Sequence, residues 1–156
     1  MAHYRAVADW FGDARRPRRL VRRTKGMLLI PNYVGPSAIE GVGVFAAAPI
    51  AKGTVIWSLD ERFDQVLSAA DIAELGEEQR NFVERYGYPH TLRPELTIVE
   101  LDNGRFMNHA DQPNTRFDDP DAGFALRDIA AGEELTCNYA EFDSGFELLP
   151  GRRFAA

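Results

Sequence analysis

Arg105-Phe106-Met107-Asn108-His109-Ala110-Asp111-Gln112-Pro113-Asn114 sets an Asn-His pair and a Pro-Asn turn directly behind an apolar run that ends near Leu101. Polar residues at the end of a strand, with Phe106 and Met107 ahead of them, suit a partly buried site. His109 has no His or Cys at ligand spacing, so the block does not read as a metal centre. A nucleophile–base pair with Cys137 would need an adjacency in space that residue identity does not establish. Downstream, Glu133-Glu134-Leu135-Thr136-Cys137-Asn138-Tyr139-Ala140-Glu141-Phe142-Asp143 reads as a strand ending in a tyrosine, followed by carboxylates and an aromatic. Taken alone, Tyr139 suits a core or rim position. Upstream, Glu40-Gly41-Val42-Gly43-Val44-Phe45 places two glycines around one residue, which lets a backbone approach a ligand closely. No helical pattern follows, as a dinucleotide fingerprint would require, so by itself this segment equally fits a structural turn.

Around these blocks the chain after Gly26 consists of short apolar runs broken by Gly, Pro and Asn, the texture of a mainly β domain. Strands are expected at Met27–Ile30, Val44–Ala47, Thr54–Leu59, Leu96–Leu101, Phe124–Arg127 and Glu134–Cys137. Helix is expected only between the third and fourth. Ser68-Ala69-Ala70-Asp71 resembles a capping box, with Ile72 and Leu75 behind it; Glu77–Tyr86 resumes with Phe82, Val83 and Tyr86 at helical spacing. Tyr86-Gly87-Tyr88-Pro89 is expected to close that region as a turn. Two stretches echo each other: Val44 to Ile56 and Phe124 to Leu135 each hold a strand, an Ile three residues before a Gly (Ile50 and Gly53, Ile129 and Gly132), and another strand. Two copies are not a repeat architecture; they are two similar strand–turn–strand corners.

At 156 residues the chain fits one domain with a short arm and needs no staples to bury a core. One cysteine excludes an internal disulfide framework, and with three histidines it argues against a structural zinc cluster. No apolar run is long enough to cross a bilayer, and no apolar stretch follows the N-terminus as a secretory signal would, so no membrane association is expected. The net charge of −6 hides an asymmetry: residues 1–25 carry eight Lys/Arg and two acids, the rest 10 basic and 22 acidic side chains. A basic arm is thus joined to an acidic body whose field draws basic partners and repels nucleic acid, except through the arm itself. Val7, Trp10 and Phe11 could line a helical face before Pro17; the Arg-rich run after it reads as a solvated arm.

Together and in this order, the three segments resemble the SET-domain family of protein lysine methyltransferases. The Gly-x-Gly opening, the Arg-Phe-x-Asn-His-x-x-x-Pro-Asn block and the Glu-Leu-x-x-Asn-Tyr-x-x-Phe-Asp block match that family's signature segments, and the resemblance covers about residues 26–143. It implies a mainly β (α+β), β-clip-like fold of short antiparallel sheets, with a pseudoknot in which the Tyr139 segment passes beneath the Asn108–His109 loop. A small helical insert would occupy about 61–94, and residues 144–156 would pack on the domain as a tail. It further implies S-adenosyl-L-methionine as cofactor, held by Glu40, Gly41, Val42, Gly43, Phe106, Asn108, His109 and Tyr139. Tyr139 would be catalytic, where cofactor and lysine pockets meet, and Tyr86, Tyr88 and Phe142 would line the lysine channel. No metal is implied.

The implied function is S-adenosylmethionine-dependent lysine N-methylation of a basic protein, histone-like, ribosomal or the chain itself. Arg23-Thr24-Lys25 resembles the Arg-Thr-Lys around a methylated histone lysine, which makes Lys25 a candidate for automethylation. A catalytically idle module that binds basic peptides, and a nucleic-acid-associated protein acting through residues 1–25, are the alternatives. Small family members can complete the substrate site across a dimer, so a homodimer is compatible. Brevity points to a bacterial or viral minimal protein in the cytoplasm; nuclear and host-delivered placements stay open. The chain departs from many relatives at Ala110, where they carry Ser, and at Asn138, where they carry Asp. One cysteine cannot build the zinc module that completes the channel in some relatives, which leaves Phe142, Phe146 and Phe154 as aromatics able to wall it or to pack the core.

Overall fold

A computed structural model of the protein describes residues 27–119 and 122–143. The basic arm with its Arg23-Thr24-Lys25, and the tail with Phe146 and Phe154, lie outside the described residues. The chain runs β1 (Met27–Leu28), β2 (Asn32–Pro36), β3 (Val42–Ala46), β4 (Val55–Ser58), β5 (Gln65–Ser68), α1 (Ala69–Ala73), α2 (Glu77–Tyr86), β6 (Gly87–His90) and β7 (Arg93–Val99). It continues through β8 (Asn108–His109), β9 (Thr115–Asp119), β10 (Ala122–Ala125) and β11 (Glu134–Cys137), with single 3₁₀ turns at Asn103–Phe106 and Tyr139–Glu141. Three small sheets result, in the orders β1-β4-β10-β9, β2-β3-β11-β8 and β5-β7-β6. Among the described residues every pairing is antiparallel except β8 with β11. The expected mainly β class with short antiparallel sheets and few helices is what the molecule has.

The two echoing corners hold the first two sheets together by bonding to each other. Ile50 N–H donates to the Ile129 carbonyl and Ile129 N–H to the Ile50 carbonyl, both at 2.9 Å. The flanking bonds repeat the exchange: Gly53 N–H to Ala125 O at 2.8 Å is mirrored by Gly132 N–H to Ala46 O at 2.8 Å. Ala125 N–H to Thr54 O at 3.0 Å is mirrored by Ala46 N–H to Glu133 O at 2.9 Å. Each matching pair lies 79 residues apart. The corners turn because Gly53 and Gly132 sit at φ 80° and 82°, where an L side chain is strained. Strands β3 and β4 leave the first corner for different sheets and each pairs with a strand of the second corner. Their inward side chains (Val44, Ala46, Ile56 and Trp57 from one corner; Ala125, Leu135 and Cys137 from the other) meet with Ile50, Ile129 and Met107 in one buried cluster.

The insert is less helical than its sequence suggests. Ser68 does cap α1 as expected: its Oγ accepts from Asp71 N–H at 3.2 Å while Ser68 N–H donates to Asp71 Oδ2 at 2.7 Å. The expected turn at Tyr86–Pro89 is instead the end of α2 running straight into β6, and β5 was likewise not expected. Strands β2, β8 and β9 also went unread. In β2 and β6 the reason is Pro36 and Pro89, which read as breakers but sit on edge strands, where no ladder N–H is needed.

The reciprocal corners make symmetrical demands. Nothing crowds a Cβ at Gly53 or Gly132, so Gly53→Ala and Gly132→Ala should each cost only the strained φ, about 1–2 kcal/mol. Ile129→Ala, at a fully buried position, should cost about 2–5 kcal/mol. Urea midpoints of the three variants against the parent measure all of these values.

Candidate active site

Strands β8 and β11 form a parallel ladder two residues long, with Asn108 opposite Thr136 and His109 opposite Cys137. Ala110 N–H closes it on the Cys137 carbonyl at 3.0 Å. Directly after β11 the chain bends into a 3₁₀ turn that Asn138 caps, its Oδ1 accepting from Ala140 N–H at 3.0 Å. That bend turns Tyr139 back onto the loop before β8. Tyr139 N–H donates to His109 Nδ1 at 3.2 Å, the two rings lie 5.3 Å apart, and the Tyr139 hydroxyl donates to the Met107 carbonyl at 2.6 Å. The bond received at Nδ1 assigns the His109 proton to Nε2, which faces Asp111 Oδ1 at 3.2 Å. Burial, with the neighbouring Cys137, Glu40 and Glu100, pushes the Tyr139 hydroxyl well above its ordinary pKa. It therefore stays neutral, and with its own proton on the Met107 carbonyl its oxygen acts toward other groups as an acceptor.

On one side of Tyr139 lies the glycine loop. Asn108 Nδ2 shares its two hydrogens among the carbonyls of Glu40 (3.3 Å) and Val42 (3.1 Å) and Glu134 Oε1 (2.8 Å). Ser37 Oγ bonds the same Glu134 carboxylate at 2.9 Å. Gly43 is required here by space: a Cβ would collide with the Glu134 carboxylate that anchors Asn108. Gly41, at φ 51°, has nothing within 4 Å of where its Cβ would be, so the backbone at the loop's tip is open to close approach. The loop Glu40–Gly43, Asn108, His109 and Tyr139 are thus brought together as one patch, with the Asn108 side chain spent on shaping the loop.

Beside Tyr139 opens a cavity of about 260 Å³. Tyr86, Tyr88 and Phe142 all line it, together with Trp57 and Phe117. The rings pack on one another: Phe142 lies 5.1 Å from Tyr88, 5.7 Å from Tyr139 and 6.0 Å from Phe117, and Trp57 lies 5.8 Å from Phe117. Phe106 stands behind this wall, edge-on to Tyr86 at 5.8 Å. Four acids (Glu84, Glu100, Asp119, Asp143) and two arginines (Arg85, Arg105) are also among the described residues that line it.

Two of the lining residues are buried titratable groups. Cys137 carries a thiol that burial, with Glu100 and Glu141, pushes far up, so it is no thiolate nucleophile despite lying opposite His109 in the ladder. Glu100, just beyond β7, accepts the Tyr88 hydroxyl at 2.8 Å, while its Oε2 is buried without a donor. Burial raises its carboxyl to about 8, and Asp102 and Asp64 push the same way against the Tyr88 bond. The sequence reading missed Trp57, Glu100, Phe117 and the cavity face of Cys137. Glu100 had left a signal, as the acid that breaks the apolar run Thr97-Ile98-Val99. The others are ordinary core types whose role is set by packing.

Comparison with known proteins agrees with this geometry. The family model described as the SET domain matches residues 41–140. A Plasmodium falciparum protein whose crystal structure is provisionally titled a histone methyltransferase superposes with a TM-score of 0.52 at 22% identity, over 70% of this chain and 93% of that one. Two structures of the Chaetomium thermophilum Polycomb Repressive Complex 2 give similar superpositions. The apo complex carrying E840A and K852D in Ezh2 scores 0.54 at 26% identity, over 74% of this chain, and the complex bound to GSK126 scores 0.52 at 28%, over 72%. In both of these the match spans 16% of the larger chain. With the three signature segments gathered around Tyr139 and the family model spanning most of the chain, the protein belongs to the SET-domain family.

Proposed function

We propose that this chain is a protein lysine N-methyltransferase that uses S-adenosyl-L-methionine and acts on a basic, lysine-bearing protein. One observation carries the reading. Tyr139 stands between a glycine loop with open backbone and an aromatic, acidic cavity, with its hydroxyl proton fixed on the Met107 carbonyl at 2.6 Å. The residues present fit the cofactor: the backbone at Gly41 is clear of any side chain, and Glu40, Val42, Gly43, Asn108 and His109 converge on the same patch. S-adenosylmethionine would supply an activated methyl group on a sulfonium.

The chain's own part is to bring a neutral amine into line. A lysine side chain ordinarily titrates at about 10.4. Withdrawal from water in the cavity disfavours its charged form and eases loss of that proton, against the attraction of the rings and acids for a cation. Because the Tyr139 proton is engaged elsewhere, its oxygen can only accept, which orients an incoming N–H and leaves the nitrogen lone pair free to point at the methyl group. The surplus of acids over residues 26–156, 22 against 10 basic side chains, favours a basic flanking sequence, which supports a histone-like or ribosomal substrate, or the chain's own arm.

The test uses methyl-labelled S-adenosylmethionine with histones, ribosomal proteins and the protein itself, the wild type run beside Tyr139→Phe. Label on a lysine that falls about 100-fold in the variant, with cofactor still bound, is the expected result. A wild type that binds no cofactor would falsify the reading. Gly43→Ala should weaken cofactor binding about tenfold and also lower the thermal midpoint, since it displaces Glu134 and with it the Asn108 clamp on the loop; calorimetric titration of cofactor on the folded variant reads the binding loss directly.

A further inference from the structure

Glu100 is a buried carboxyl set among other acids. Its Oε1 accepts one bond, from the Tyr88 hydroxyl at 2.8 Å, and its Oε2 is buried beside the Asp102 carboxyl with no donor among the described residues. The groups that face it are Asp102 at the head of the 3₁₀ turn, Asp64 ahead of β5, Tyr88 on β6, Cys137 on β11 and Tyr139 just after it. None of these is a cation. Arg85 and Arg105 line the same cavity but lie over the Tyr86 and Phe106 rings at 5.5 and 4.4 Å. Arg105 also gives its Nη1 to the carbonyls of Leu101 and Asp102, at 2.8 and 2.6 Å. Gly104 keeps the space open, since a Cβ there would collide with Glu100 Oε2. An acid buried among acids is destabilising, and such groups concentrate where chemistry employs them.

Resting on the methyl-transfer reading, the geometry points to Glu100 as the acceptor of the substrate ammonium's proton, reached through the Tyr88 hydroxyl. The entering ammonium donates a hydrogen bond to the Tyr88 oxygen, whose own proton already lies on the line to Glu100 Oε1. One proton moves from nitrogen to that oxygen as the original phenolic proton moves to Glu100. The electron pair of the broken N–H bond stays on nitrogen as the lone pair that attacks the methyl group. Tyr88 is neutral before and after, Glu100 becomes the acid, and it returns its proton to solvent before the next turnover. A carboxyl poised near 8 can both take and release a proton close to neutral pH. Tyr88 need not ionise, which suits a hydroxyl that burial and Glu100 hold far above its ordinary value.

The test is a single-turnover pH profile on the best-labelled substrate of the panel, for wild type, Glu100→Gln, Glu100→Asp and Tyr88→Phe. Alongside it, the Glu100 carboxyl is titrated by carbon NMR in cofactor-free protein. The wild-type rate should climb through a limb near 8. Glu100→Gln and Tyr88→Phe should lose about 100-fold and the limb with it, while cofactor affinity is unchanged; Glu100→Asp should restore part of the rate with the limb displaced. Stability supplies a readout that a structural role would move the other way. The folded carboxyl, at about 8, lies above its ordinary value of 4.5. Its contribution to stability is therefore complete below about 4.5 and is lost as pH rises to about 8. At pH 8.5 Glu100→Gln should raise the thermal midpoint, because an amide can donate to Asp102 where a carboxylate repels it. Glu100→Gln with the wild-type rate and limb overturns the inference and leaves methyl transfer standing, as does a Glu100 carboxyl that titrates in the ordinary range. A wild type that binds cofactor but methylates no substrate overturns the transfer reading, and the role given to Glu100 falls with it.

Discussion

The pair of hydrogen bonds exchanged between Ile50 and Ile129 is the constraint on which the molecule is organised. Each corner alone is a bent ribbon whose two strands diverge into different sheets, so neither can bury its own apolar face. Locking the two glycine corners back to back places β3 beside β11 and β4 beside β10, and the buried cluster fills the space between the pairs. The elements outside this clasp (the β5-β7-β6 sheet and the two helices) attach to its rim and add little to the buried cluster itself.

The site follows from the clasp because β11 serves both. Its first half is fixed against β3 by the corner, and its second half pairs with β8, so the bend that follows has one place to put Tyr139. From that one strand come Glu134, which anchors Asn108 beneath the glycine loop, and Cys137, which faces the cavity. The two tyrosines then share one electrostatic logic. Tyr139 gives its proton to a backbone carbonyl and Tyr88 gives its proton to a carboxylate, so both present only acceptor oxygens to whatever enters. An ammonium group, which carries N–H donors and no acceptor, complements such a surface.

Much of this was readable in the residues. The corners were visible because glycine at a positive φ leaves few alternatives, and the capping box of Ser68 and Asp71 because its chemistry is local. The Asn108–His109 and Tyr139 blocks stood out because polar residues at strand ends interrupt an apolar pattern. What stayed hidden depends on partners far along the chain. Pro36 and Pro89 read as breakers until their strands were seen to lie at sheet edges, and β8 is two residues long and exists only because β11 runs beside it. Trp57 and Phe117 look like any core aromatics, and nothing local says that their packing leaves a cavity between them.

The 79-residue separation of the corners also has a bearing on synthesis. The first corner leaves the ribosome with one flank of β3 and one of β4 bare, and it has no partner for them until β10 and β11 emerge. Contacts this distant in sequence carry a large loop-closure cost and form late. The nascent chain must therefore wait with its apolar strands uncovered while the intervening residues are made, a period in which unpaired edges invite association with other chains. A product terminated upstream of β10 is accordingly not a weakened domain but an open half of one, suited to capture by chaperones and proteases.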